Sequence, residues 1–149
     1  MQHYHAAATH GNAPGFDILV CNETGEKSVA IQVKSAQWAK KTIKGKASLD
    51  FPLGYKAGKV NRDSVYFAFV DFGVAQNQKP DIYLIRSTWL HHFCESWIDQ
   101  YIGKMVRFQP EVDWIKEFKI EDGNWSRLRE AGVLPSTNES SMAELETPQ

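Results

Sequence analysis

Apolar and polar residues alternate in two short segments near the start of the chain. In residues 16–21 and 29–34 every second side chain is apolar, which is the period of a β-strand. Residues 23–26 lie between them and include Gly25, which can adopt the positive φ of a tight turn. The pattern therefore predicts a β-hairpin.

The hairpin brings three polar residues to one corner. With a turn centred on Thr24 and Gly25, Asp17 lies opposite Gln32, and Lys34 follows two residues later on the same face. The opposite face is wholly apolar, so we expect one face to form core and the other a polar corner. This register holds only if the loop has an even length and the strands contain no bulge.

Two stretches show no clear period. Residues 1–14 contain few apolar residues and indicate a loosely held lead-in, and the glycines and proline of residues 35–63 indicate a long loop with one or two short elements. Trp38, Phe51 and Tyr55 are scattered through this loop. They could anchor it to the core, the preferred interpretation, or stack on a base or sugar.

The second half of the chain alternates between strand and helix signals. Buried strands are predicted at 64–72 and 82–85, and Ser87 can cap an apolar-striped helix that runs to about Lys104. Residues 111–120 fit a strand or a helical turn, and 122–131 a short helix with Trp125 and Leu128 inward and Gly132 after its end. We expect one domain over residues 1–134 and a disordered polar tail over 135–149.

The composition fits a single domain with a real core. The chain has 149 residues, of which 42% are hydrophobic, and the longest strongly apolar run, residues 65–70, is far shorter than a membrane span. The first residues lack the features of a signal peptide, and two cysteines are too few for a disulfide framework. We therefore expect a cytoplasmic protein.

Charge is distributed unevenly although the chain as a whole carries −1. Between residues 34 and 62 there is one acid, Asp50, against eight basic residues: Lys34, Lys40, Lys41, Lys44, Lys46, Lys56, Lys59 and Arg62. A basic segment that starts at the polar corner suits a polyanion such as DNA, and Lys40, Lys41, Lys44 and Lys46 are the candidate contacts. The alternative is a solvated lysine-rich loop.

The segment 14–20, with Asp17, followed by Gln32-Val33-Lys34 at the end of the next strand, resembles the PD-(D/E)XK nuclease superfamily. Its resolvase and restriction-type members are the most similar, and Gln32 replaces their more usual acid. The resemblance covers about residues 14–35. It implies an α/β fold of restriction-endonuclease-like type, with a mixed central sheet flanked by helices.

The resemblance also implies a role for each residue of the corner. Asp17, the side-chain oxygen of Gln32 and the carbonyl of Val33 would bind Mg2+ or Mn2+, which prefer oxygen ligands. The metal would polarise the phosphate and lower the pKa of a water molecule. Lys34 would orient that water and stabilise the developing charge, while Ser35 would touch a phosphate. Asp17, Gln32 and Lys34 are thus the predicted catalytic residues.

Members of the superfamily usually have a helix before the hairpin, often with a glutamate that joins the site. None of the sixteen residues before Asp17 is acidic. We therefore expect the N-terminal helix to be shortened or missing and metal binding to be weak. Three alternatives follow: the chain is a shortened form, a homodimer or a partner protein supplies the missing helix, or the protein has lost activity.

A second group of metal-ligand residues, His91, His92 and Cys94, occurs on the predicted helix. Zinc is conceivable there, but no second cluster completes four ligands, and core and surface roles are preferred. The predicted function is therefore that of a metal-dependent endonuclease, a hydrolase of DNA phosphodiester bonds. The alternatives are a catalytically inactive nucleic-acid-binding or partner-binding module with the same fold, and a purely structural domain.

Overall fold

Nine strands and four short α-helices make up the computed structural model, which describes residues 4–9, 16–121 and 123–133. The strands are β1 (Tyr4–Ala8), β2 (Ile18–Asn22), β3 (Ser28–Ala36), β4 (Lys40–Ile43), β5 (Lys46–Leu49), β6 (Phe51–Pro52), β7 (Val65–Asp71), β8 (Asp81–Arg86) and β9 (Arg107–Phe108). The α-helices are α1 (Tyr55–Gly58), α2 (Ser87–Cys94), α3 (Val112–Ile115) and α4 (Ser126–Glu130), and two 3-10 helices span Ile98–Tyr101 and Lys116–Phe118.

Five strands form the central sheet, in the spatial order β1-β2-β3-β7-β8. All neighbours are antiparallel except β3 and β7, which are parallel. The predicted α/β class with a mixed central sheet is therefore confirmed. Within the described ranges, no helix is long and apolar enough to cross a membrane.

The predicted hairpin is present as β2 and β3. Ile18 pairs with Ile31 and Cys21 with Ser28, which is the predicted register. Gly25 adopts a φ of 74° in the connecting loop, where the positive φ lets the chain reverse. The alternating pattern and the turn residue were thus sufficient to predict this pairing.

Core side chains cover both faces of the sheet, contrary to the expectation that the face of Gln32 and Lys34 would be only polar. These two residues pair in the parallel ladder with Phe67 and Phe69, whose side chains are fully buried. Phe67 and Phe69 belong to the larger core cluster, with Phe51, Leu90 and Phe108, whereas Val29 and Ile31 belong to a smaller cluster with Tyr66 and Leu84. The polar corner is therefore at the margin of the larger core.

Two segments predicted to be irregular form strands instead. Residues 4–8 form the edge strand β1, which pairs along its whole length with β2. Within residues 35–63, β4 and β5 form a hairpin and β6 pairs with β9. The lead-in and long-loop predictions were wrong because these strands are exposed or very short, so their apolar periodicity is weak.

The helix predicted from Ser87 to about Lys104 ends at Cys94. Its capping residue was also wrong: Ser87 lies inside the helix, and its hydroxyl donates to the Arg62 carbonyl and accepts from the Arg62 amide. After Cys94 the chain turns into the 3-10 helix Ile98–Tyr101. Ile98 is fully buried and packs against Gly58, where an added Cβ would lie 2.8 Å from the isoleucine side chain.

The last elements follow the prediction more closely. Residues 112–118 form α3 and a 3-10 turn, and Lys119 bridges to Tyr83 of β8. The short helix predicted at 122–131 is α4, which buries Leu128, and Gly132 follows it with a φ of 75°. The predicted tail, residues 135–149, lies outside the described residues.

Candidate metal centre

Asp17 lies at the point where the ladder between β2 and β3 ends. The ladder does not extend to the predicted pair of Asp17 with Gln32, because the Asp17 amide donates to the Ile31 carbonyl at 2.9 Å. Asp17 and Ile18 thus both lie opposite Ile31, as in a β-bulge. The prediction that Asp17 lies directly opposite Gln32 was therefore wrong, because it required strands without a bulge.

The bulge moves the Asp17 carboxylate to the residue between Gln32 and Lys34. The Val33 amide donates to Oδ2 of Asp17 at 2.7 Å, so a side-chain oxygen takes the place of a strand partner. Asp17 itself is exposed. Its carboxylate is thereby held at the predicted corner by a short hydrogen bond, and its second oxygen is left for another partner.

The Val33 carbonyl points to the same edge of β3 as the Val33 amide. In a strand, the N–H and C=O of one residue face the same neighbour, and the Ala30 amide, three residues earlier, donates to Ser64 at the opposite edge. The edge at Val33 therefore presents the Asp17 carboxylate together with a main-chain oxygen. Two of the three predicted ligand groups meet here.

Gln32 and Lys34 project from one face of β3, next to that edge. Both side chains are half-buried, and each alternates with Val33 on the other face. Among the described residues, neither the Lys34 ammonium nor the Gln32 amide forms a side-chain hydrogen bond or ion pair. The stem of Lys34 can cover apolar surface while its ammonium stays available to an anion.

The oxygen donors at this corner suit a hard divalent cation such as Mg2+ or Mn2+ better than zinc. Asp17 is the one acid among the predicted ligands, and no group of three or more histidine, cysteine or acidic side chains suited to a metal occurs in the described part of the chain. A metal held here would depend on neutral oxygens from Gln32 and Val33. The fit is that of a weak site with one negative ligand.

Most of the predicted DNA-contacting lysines are paired with acidic side chains. Their nearest acidic oxygens lie 3.6 Å away for Lys40, 3.1 Å for Lys41 and 3.1 Å for Lys46, on Asp81, Asp50 and Glu111 respectively. The exposed Lys44 occupies the β4–β5 turn with a φ of 50° and has no ion pair within the described ranges. Ser35 is exposed on β3. Folding thus neutralises much of the basic segment.

The three scattered aromatic residues differ in their surroundings. Phe51 is fully buried and Tyr55 packs against the larger core, which is the anchoring role. Trp38 is 58% exposed and has a φ of 59°, in a region that side chains other than glycine rarely adopt. It does not anchor the loop.

His91, His92 and Cys94 do not converge on one point. His91 Nδ1 contacts the Gly58 carbonyl at 3.2 Å, and His92 pairs with Glu95 at 3.0 Å. Cys94 is fully buried, and this burial raises the pKa of its thiol to about 12, so it remains protonated. The arrangement corresponds to the preferred core and surface roles.

One polar cluster was not predicted at all. The buried Asp50 carboxylate accepts hydrogen bonds from Arg107 Nε at 2.8 Å and Gln109 Nε2 at 3.3 Å, and Lys41 pairs with its other oxygen. The hydrogen bond from Arg107 contributes most to holding the pKa of Asp50 below its usual value. The alternation of Arg107 and Gln109 is a strand signal, but no feature of the sequence indicates contacts across more than fifty residues.

Comparison with known proteins adds no identification. No protein-family model, curated protein or solved structure matches the chain.

Proposed function

We propose that this protein is a metal-dependent endonuclease that hydrolyses DNA phosphodiester bonds, with Asp17, Gln32 and Lys34 as its catalytic residues. The observation that carries the proposal is the hydrogen bond from the Val33 amide to the Asp17 carboxylate. It holds the Asp17 carboxylate next to the Gln32-Val33-Lys34 segment. These are the residues on which the resemblance to the PD-(D/E)XK superfamily rests.

Each residue has a chemical task in this proposal. Asp17, the Gln32 side chain and the Val33 carbonyl would hold Mg2+ or Mn2+. When bound, the ion would supply Lewis acidity toward a phosphate oxygen and lower the pKa of a nearby water. Lys34 orients the attacking water and places a positive charge where negative charge develops on the phosphate. Ser35 and the exposed Lys44 contact neighbouring phosphates.

The fold is compatible with a restriction-endonuclease-like core, which we propose as its finer class. The support is the mixed sheet in which the site-bearing strand β3 has an antiparallel and a parallel neighbour. The acidic helix of the family has no counterpart in residues 4–8, which form β1. We propose that a second copy of the chain or a partner protein supplies it.

An inactive nucleic-acid-binding or partner-binding module is the second candidate. It is favoured by the neutral Gln32 in place of an acid, which leaves Asp17 as the one negative ligand at the corner. In this case the corner retains the fold and a phosphate-binding lysine but gives no hydrolysis. Cleavage assays separate the two candidates.

The test is nicking of supercoiled plasmid DNA by purified protein with Mg2+ or Mn2+. Asp17→Asn keeps an acceptor for the Val33 amide but removes the charge, and Lys34→Met keeps the apolar stem but removes the ammonium. Each variant is expected to lose about a hundredfold in cleavage rate with unchanged thermal stability, because both charges act on the transition state. Chelation of the metal with EDTA should abolish cleavage.

The matched controls are Asp113→Asn and Lys116→Met, an exposed ion pair of α3 and the following turn that lies at 3.3 Å. They should cleave at the wild-type rate. Cleavage that survives EDTA or is equal in all variants would contradict the proposal. DNA binding without cleavage under either metal would favour the inactive module, and the absence of both at low salt would exclude both candidates.

A further inference from the structure

An open cavity of about 360 Å3 lies beside the end of α2 and strand β9. Its walls are formed by three aromatic residues, a methionine and two polar residues: Phe93, Trp97, Tyr101, Met105, Arg107 and Gln109. The volume is within the range of sites that bind small molecules. None of these residues belongs to the candidate metal centre, and we call the site the aromatic cavity.

A buried carboxylate holds the two polar walls of the aromatic cavity in place. The Asp50 side chain is 8% exposed and accepts from Arg107 Nε and Gln109 Nε2. Within the described part of the chain, the terminal guanidinium nitrogens of Arg107 and the Oε1 of Gln109 form no hydrogen bond. Arg107 is 44% exposed, so these nitrogens remain accessible to a ligand.

The aromatic walls pack edge to face and are partly exposed. Trp97 stands nearly perpendicular to Phe93 and to Tyr101, with ring centroids 6.5 Å and 5.6 Å apart. The indole N–H of Trp97 donates to the Phe93 carbonyl, which satisfies its polar atom. Tyr101 is 39% exposed, so its ring offers surface for stacking. Phe93 is 36% exposed and already stacks on Trp114, with ring centroids 5.2 Å apart, so it supports the wall from behind.

Charge around the cavity favours an anion. Among the residues that the structure describes, Asp50 is the one acid paired with Arg107, and it also pairs with Lys41 at 3.1 Å, so two cations surround one carboxylate. Arg107 can bind a phosphate through its free nitrogens. Gln109 retains an acceptor and a second amide hydrogen, a combination that can bond to the edge of a heteroaromatic base.

We propose that the aromatic cavity binds a nucleotide with an unpaired base. The base stacks on the aromatic walls and meets Gln109, and the phosphate binds Arg107. This site is separate from the candidate metal centre and requires neither a metal nor hydrolysis. Its ligand could be a free nucleotide or a nucleotide of a single strand, because both present the same base and phosphate.

Isothermal titration calorimetry in EDTA tests the proposal. Adenosine 5′-monophosphate and cytidine 5′-monophosphate are compared with their nucleosides, with ribose 5-phosphate and with inorganic phosphate. At least one nucleotide should bind about tenfold more tightly than its nucleoside and than ribose 5-phosphate, since stacking and the phosphate contact each contribute. A hexanucleotide of the same base distinguishes the sources: tighter binding than the mononucleotide identifies a strand, and equal binding identifies a free nucleotide.

Tyr101→Ala removes an exposed stacking wall and should weaken nucleotide binding about tenfold without affecting folding. Arg107→Met should reduce the preference for the nucleotide over its nucleoside. Gln109→Leu should reduce the discrimination between bases, and it serves as the second test if Arg107→Met does not fold. Trp89→Ala is the matched control, because Trp89 is an exposed aromatic residue of α2 outside the aromatic cavity.

Absence of binding by every nucleotide and by the hexanucleotide would overturn the inference, as would nucleotide binding that Tyr101→Ala leaves unchanged. Equal affinity for nucleoside and nucleotide would exclude phosphate binding by Arg107 and would also overturn the inference. Because these measurements are made without metal, they are independent of the cleavage assay. Nucleotide binding can fail while cleavage is observed, and the reverse.

Discussion

Asp17 serves two purposes with one carboxylate. One oxygen accepts the Val33 amide and completes the hydrogen bonding of β3 where β2 bends away, and the other oxygen is available at an exposed edge. The residue types of the corner and its place in the hairpin could be predicted from the alternation and from Gly25. The bulge at Asp17 could not be predicted from the sequence. It shifts the strand pairing by one residue, and that shift depends on backbone contacts that a periodic pattern does not specify.

Asp50 supports a prediction on pH dependence. Its pKa in the folded protein is below the ordinary 3.8, chiefly because of the Arg107 hydrogen bond, so the unfolded chain binds more protons between the two values. The contribution of Asp50 to the free energy of unfolding should therefore be fully present above about pH 4. It should be lost as the pH decreases through the pKa of Asp50 in the folded protein. Urea unfolding as a function of pH measures this loss.

Asp50→Asn is expected to show a shallower loss of stability below about pH 4, since the titrating carboxylate is gone. Asp113→Asn, an exposed acid, should keep the wild-type slope. Identical slopes for Asp50→Asn and the wild type would show that the Asp50 hydrogen bonds do not contribute to acid sensitivity.

At the scale of elements, buried strands could be predicted from the sequence and exposed strands could not. Strands β7 and β8 were found because consecutive buried residues make a strong signal, as in Val65–Asp71. The β4–β5 hairpin was missed because its lysines and exposed residues hide the strand period. The end of α2 at Cys94 could not be predicted, because the apolar stripe continues beyond it through Trp97, Ile98 and Tyr101.

The β4–β5 turn contains a lysine in a backbone conformation that lysine rarely adopts, so a substitution there should stabilise the protein. Lys44 and Gly45 both have a positive φ, 50° and 77°, as a two-residue turn of type I′ requires. Lys44→Asn should raise the free energy of unfolding by about 0.5 kcal/mol, because asparagine tolerates this conformation better than lysine. Urea unfolding is the measurement, with Lys104→Asn as the control, because Lys104 is exposed and lies outside the helices and strands. A destabilised Lys44→Asn variant would contradict this account of the turn.

At the scale of the molecule, the fold redistributes the charge that the sequence concentrates. Lys40, Lys41, Lys46 and Lys59 pair with acids, which come from four different segments. A net charge counted along the chain therefore overstates the field available to DNA. Three of these pairs, those of Lys40, Lys46 and Lys59, could not be predicted because they join residues at least forty positions apart. What remains at the corner is local: Asp17, the Val33 carbonyl and the cation of Lys34.

The central claim is that this corner holds a divalent metal, and paramagnetic broadening of backbone amide NMR signals by Mn2+ tests it most directly. Titration of the wild type should broaden the amides of Asp17, Val33 and Lys34 before other signals, and Asp17→Asn should lose this effect while its spectrum stays folded. Broadening that is absent from these amides at millimolar Mn2+, or that is unchanged in Asp17→Asn, would contradict the account.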